Sequence, residues 1–218
     1  MLVQNPLALI AIFLAVAALP LLAIMVTAFA KISIVMLIVR NALGVQQLPP
    51  NIIIYTLCFI LSAYISLPML TESYALVRDS GLTFSTIQEV EQLVEVGGKP
   101  LQEFLAKHAD PRQVAFFVDA TTRIWGPESG IEVNAKSFTV LIPGFLVSEL
   151  TKAFEIGFML YLPFMAIDLV ITTMLVALGM MMVQPTTIAI PFKIMLFVFL
   201  DGWTRIIHGL ILSYGTPS

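Results

Sequence analysis

The stretch LVITTMLVALGMMMVQPTTIAIPF, residues 169–192, runs through 24 positions without a charge. A helix needs ~20 apolar residues to cross hydrocarbon, so length alone would allow one span here. Gly179, Pro185 and Pro191 interrupt it. Glycine commonly ends a helix, and proline removes a backbone donor and clashes with the preceding turn. The stretch is therefore read as two helices joined by a bend near residues 179–185, a helical hairpin whose tip holds Met180, Met181 and Met182. Successive helix positions point ~100° apart, so a straight helix cannot aim three adjacent methionines at one target, whereas a bend can gather them. Methionine is flexible and polarisable. The run either fills a hairpin tip or forms a deformable apolar ring that closes a pore, since hydrophobic constrictions gate by dewetting.

The rest of the chain has the same character. Of its 218 residues 59% are hydrophobic and 11% charged, and the mean hydropathy is +0.97. Soluble domains carry charge on about a quarter of their residues. This apolar excess is too large for one core and implies an integral membrane protein or part of a membrane-embedded assembly. A net charge of −3 gives no basic surface for nucleic acid, and the lone Cys58 excludes an internal disulfide.

Charge is concentrated in one place. Residues 72–136 hold ten acidic and six basic side chains, leaving nine charges for everything else. Three parts follow: an apolar helical hairpin over residues 1–70, a polar acidic insert over 71–136, and a second apolar hairpin over 137–218. The fold class is all-α and membrane-type, with four apolar segments in two long kinked hairpins and a small helical insert.

In the first part, residues 7–30 are read as a retained helix kinked at Pro20, because no basic residue precedes the apolar run as a signal peptide would require. The second apolar segment, 52–70, follows the polar stretch RNALGVQQLPP (40–50). Pro49 and Pro50 stop a helix arriving from the N-terminal side, and Arg40, Asn41 and Gly44 belong to the turn. Lys31 and Arg40 flank that turn and favour its cytoplasmic placement, which sends the insert and the N-terminus to the periplasm. Within the insert, Thr86-Ile-Gln-Glu89 has the capping-box pattern, and Asp110-Pro111 offers an N-cap followed by proline at the first helical position. Val114, Phe117, Val118 and Thr121 then recur at helical spacing.

Seven charges lie in or beside the second apolar part: Glu149, Lys152, Glu155, Asp168, Lys193, Asp201 and Arg205. Each would cost ~2.5–3.5 kcal/mol at a bilayer centre. They must pair, face protein, or sit outside hydrocarbon. Glu149, Lys152 and Glu155 stand three apart, so on a helix they share one face and can form an acid–base–acid ladder. Such charges serve either as a structural network locking helices or subunits, or as a proton or ion relay.

Catalytic signatures are missing. There is no HExxH or GxSxG, and Gly97-Gly98-Lys99 lacks the remaining features of a phosphate loop. His108 and His208 have no Cys or His at ligand spacing and are read as ordinary surface or interface residues. No enzyme activity, cofactor or metal is expected.

Several stretches together resemble one family. KISIV (31–35) with RNALGVQQLPP (40–50), SELTKAFEIGF (148–158), LPF (162–164), DLV (168–170), LGMMM (178–182), PFK (191–193) and DGW (201–203) are similar to the FliP/SctR family, also called YscR or SpaP. This is the export-gate subunit of bacterial type III secretion systems. The resemblance implies a homopentameric ring assembled with the small membrane subunits SctS and SctT, the counterparts of FliQ and FliR. Further partners would be SctU, SctV and the inner rod protein, with unfolded secreted proteins as cargo. It implies residence in the bacterial inner membrane within the secretion basal body, with much of the assembly above the bilayer plane. It also implies that Met180, Met181 and Met182 form the loop that closes the channel. Glu149, Lys152, Glu155, Asp168, Lys193 and Asp201 would then occupy polar positions where subunits pack.

DGWTRIIHGLI (201–211) and the Leu-Pro-Pro turn look more like the injectisome branch than the flagellar one, which stays as the alternative. A proton-coupled secondary transporter would also explain buried carboxylates and broken helices. It would normally carry a repeat between its halves, and none is visible.

Overall fold

The computed structural model describes residues 13, 17, 23–45, 48–81, 87–126, 134–180 and 182–215. Among the described residues the helices run in chain order as α1 (Phe29–Leu43), α2 (Asn51–Asp79), α3 (Ile87–His108), α4 (Pro111–Trp125), α5 (Phe138–Ala177), α6 (Pro185–Phe199) and α7 (Gly202–Leu212). No strand occurs among the described residues. The all-α, membrane-type reading holds. α2 and α5 are long and apolar enough to cross a membrane, and α6 with α7 would make a third such element but for a 58° bend between them. The segment 7–30 lies largely outside the described residues, as does Thr86 of the capping-box pattern.

The chain divides into two compact units, Met1–Ala30 with Met69–Leu146, and Lys31–Pro68 with Val147–Ser218. In the first unit, Leu105, Ala109, Leu141 and Phe145 form a buried core, flanked by Val26, Leu101, Phe104, Val114, Phe138 and Ile142. Small residues bring its helices close: a Cβ on Gly97 would lie 2.8 Å from the Val77 side chain, and one on Gly98 would lie 3.3 Å from the Phe138 ring. α4 starts as its sequence predicts. Asp110 is extended, its carboxylate accepts the Arg112 N–H at 2.8 Å, and Pro111 opens the first turn. Val114, Phe117, Val118 and Thr121 are the half-buried stripe of that helix. His108 departs from the surface reading. It is buried, with its ring 4.8 Å from that of Phe104.

In the second unit α1 is the most buried helix. Ile32, Val35, Met36, Val39, Ala42 and Leu43 are all in the core, at the three- and four-residue spacing of one helix face. Two expectations change here. Lys31, expected to flank the first turn, sits early in α1 and is 2% exposed, while Arg40 lies in the last turn of that helix, beside the hairpin turn. Nothing between Phe29 and Leu43 breaks a helix, so the turn starts only at Gly44, whose φ is +73°. Lys31 is therefore a core charge and not a loop charge that votes on topology. α2 also continues past residue 70 to Asp79, because the change from apolar to polar sequence at 71 contains no helix breaker before Gly81.

Candidate functional site

The second unit carries two polar locks and an exposed apolar turn. The first lock is centred on Glu149 of α5, which is 0% exposed. Lys31 of α1 lies 3.2 Å from its Oε2, and Tyr214, just beyond α7, donates its phenolic O–H to the same oxygen. The Lys31 ammonium also stands 3.6 Å from the centroid of the Tyr214 ring, a cation–π contact. Burial pulls the Lys31 ammonium below its ordinary range, opposed by the neighbouring Glu149 carboxylate. Burial, reinforced by that carboxylate, pushes the Tyr214 phenol far above its usual range, so it remains a donor.

The second lock is centred on Lys193 of α6, 3% exposed. Its ammonium pairs with Asp168 Oδ2 of α5 at 2.7 Å and donates to the Ala42 carbonyl at 3.0 Å. A cation against the last carbonyls of α1 satisfies an orphan acceptor and opposes the helix dipole. Asp168 Oδ1 is buried without a hydrogen-bond partner among the described residues. Gly44 follows directly, with room for the Lys193 head 4.0 Å from where its Cβ would be.

The acid–base–acid ladder does not assemble as one surface row. Two three-residue steps along a helix fall about 120° short of two full turns. Glu149 accordingly enters the core while Glu155 is exposed, with half-buried Lys152 between them. Lys152 is near enough to act on Lys31 as a like charge. Asp201 joins α6 to α7 in the left-handed conformation, φ 51°, and Arg205 is exposed. At the first hairpin turn, Arg40 donates to the Asn51 side chain, the Gly44 N–H bonds the Asn41 carbonyl at 3.1 Å, and Pro50 supplies the carbonyl that starts α2. The Leu48–Pro49 peptide is cis.

α5 ends in a Schellman motif. Gly179 has φ +70°, the Met180 N–H bonds the Leu175 carbonyl at 2.9 Å, and the Gly179 N–H bonds that of Val176 at 3.0 Å. The chain turns and re-enters helix at Pro185, after an extended Gln184. Leu178 and Met180 are exposed at this tip and Met182 is fully so, while Met181 lies outside the described residues. The bend predicted at 179–185 is thus present, and the Asp168–Lys193 pair ties its two arms.

Tyr214 and the Ala42 carbonyl were missed from sequence. The signal for Tyr214 was a stripe, Ile206, Leu210 and Tyr214, four apart and all buried, ending in an aromatic with a polar tip. A backbone carbonyl at a helix end leaves no trace in residue types. Among the described residues no group of three or more His, Cys, Asp or Glu is placed to hold a metal ion.

The FliP family model matches residues 12–210. The chain is 46% identical over 211 residues to "Probable translocation protein y4yL" of Sinorhizobium fredii, covering 97% of this chain and 95% of the relative. It is 48% identical over 199 residues to "Yop proteins translocation protein R" of Yersinia pestis, covering 90% and 91%. It is 42% identical over 208 residues to "Hypersensitivity response secretion protein HrcR" of Ralstonia nicotianae, covering 94% and 96%. With the family match running from before α1 into α7, over Lys31, Glu149, Asp168, Lys193 and the methionine turn, the chain belongs to the FliP family.

Proposed function

We propose that this chain is a core membrane subunit of a type III secretion export apparatus, on the injectisome side of its family. The observation that carries this reading is the near full-length likeness to relatives whose names are those of translocation and secretion proteins. The role is that of a conduit component, which fits a chain of long apolar helices held by internal polar locks.

Copies of the subunit, five in the favoured arrangement, surround a channel with SctS and SctT, alongside SctU, SctV and the inner rod protein. Unfolded secreted proteins pass through it. The complex sits in the bacterial inner membrane, with the insert of residues 71–136 on the periplasmic side. The exposed Met180 and Met182 at a tight turn support a seal at that turn, because soft apolar side chains in a ring exclude water and ions yet deform around a passing chain. Glu149, Lys152, Glu155, Asp168, Lys193 and Asp201 supply the polar positions that lock helices within the subunit and meet neighbouring copies.

The test combines removal of the subunit from its own host with native mass spectrometry of the tagged protein. Loss of type III secretion, restored by the tagged chain, and a ring of identical chains with small apolar partners are expected. Undiminished secretion after removal would refute the function. A monomer or dimer without partners would refute the ring and direct attention to ion flux, as for a transporter.

A further inference from the structure

α7 is joined to the rest of the second unit in an unusual way at each end. At its start the chain bends by 58° from α6. Asp201 is the only non-glycine residue with positive φ among the described residues, and its side chain makes no capping hydrogen bond to α7. A left-handed, uncapped residue at a helix start is a point where the backbone is held by its surroundings and not by its own preference. Those surroundings are aromatic. Phe197 of α6 packs edge-on to Trp203 at 5.1 Å and lies 6.3 Å from Phe164 of α5. Gly202 makes room for this, since a Cβ there would lie 2.3 Å from the Phe197 ring.

Along its length the helix is seated by Ile206 and Leu210, with Trp203, Ile207 and Ile211 half-buried beside them, while Thr204, Arg205, His208, Gly209 and Leu212 are exposed. At its far end the stripe finishes in Tyr214. That residue joins the region beyond α7 to the Lys31–Glu149 pair, through its O–H to Glu149 and its ring under Lys31. An eleven-residue helix with a bend at one end and one polar anchor at the other has the attachment of a strap. Helices of this length are marginal in isolation and depend on packing.

We infer that α7 is a hinged arm, pivoting at Asp201–Gly202 and latched by Tyr214 onto Lys31 and Glu149, and that it opens as a unit while α1, α5 and α6 stay folded. Opening unseats Ile206 and Leu210 and exposes to solvent an ion pair that is otherwise buried. Elements held by few buried contacts are the ones that open below global unfolding.

Hydrogen–deuterium exchange on the full-length chain in detergent tests it, with wild type set against Tyr214→Phe and Tyr214→Ala. Tyr214→Phe keeps the ring against Lys31 and loses only the O–H, so its α7 amides are expected to exchange about tenfold faster, the factor for losing one charge-assisted hydrogen bond, with α1 and α5 unchanged. Tyr214→Ala loses the ring as well and should exceed that. Equal acceleration of α1, α5 and α7 would make Tyr214 an ordinary core residue and overturn the arm, as would unchanged α7 exchange. If Tyr214→Ala does not fold, wild type decides alone under mild denaturant: α7 opening ahead of α6 supports the arm, and a common opening of both overturns it.

Discussion

Lys193 donates a hydrogen bond to the Ala42 carbonyl at 3.0 Å, across 151 residues of sequence. The same ammonium pairs with Asp168. One buried atom therefore ties the end of α1 to both arms of the α5–α6 hairpin. A lysine is suited to this because its three N–H donors can satisfy a carboxylate and a carbonyl at once.

Lys193→Met removes that tie and leaves Asp168 and the end of α1 uncompensated. Breaking a fully buried pair costs about 3–5 kcal/mol. The Asp168 side chain is 34% exposed, so screening reduces the expected loss to about 2 kcal/mol. Thermal unfolding in detergent should register a lower midpoint, and an unchanged midpoint would show that the tie contributes nothing.

The Lys31–Glu149 pair has no such exposure and is expected to behave as a coupled unit. Lys31→Met or Glu149→Leu alone strands a buried charge and should destabilise by about 3–5 kcal/mol. The double variant should lose less than the sum, with a coupling of at least about 1 kcal/mol. Strict additivity in the double-mutant cycle would contradict the pairing.

Gly157 marks a close approach of α5 to α1. A Cβ there would lie 2.4 Å from Ile38 Cδ1 and 3.3 Å from its Cβ. Gly157→Ala should therefore destabilise by about 1–3 kcal/mol through overpacking, although alanine is the better helix former. Adding Ile38→Val removes the nearest atom and should recover part of the loss. A stabilised Gly157→Ala would mean that the two helices stand further apart than described.

Serine at Met180, Met181 and Met182 should leave stability within about ±0.5 kcal/mol, the range for exposed positions, since Met180 and Met182 are exposed. Oligomer recovery should be unchanged while the membrane becomes leaky to small ions. Permeability equal to that of wild type would remove the seal from these residues.

The legible parts of this protein are those that depend on neighbours in sequence. The Asp110 cap and Pro111 define the start of α4 because a cap is a contact two residues long. Gly179 and Pro185 locate the α5–α6 turn because backbone restrictions act at the residue itself. The apolar excess announced a membrane-type helical chain, and the order of motifs along it announced the family.

Lys31 is the instructive failure. As the first charge after thirty uncharged residues it reads as a loop signal, yet it lies in the core. Its partner Glu149 is 118 residues away, and Tyr214 is another 65 beyond Glu149. Helical spacing assigned Glu149 to a ladder with Lys152 and Glu155, because periodicity reports which residues share a face and not what that face meets. The choice between partners in one chain and partners next door rests on how α1, α5 and the end of α7 bury Lys31, Glu149 and Tyr214 together. There an unpaired charge is prohibitively expensive, so packing selects the pair. Sequence alone determined that these charges needed partners; only the tertiary structure decided which ones they have.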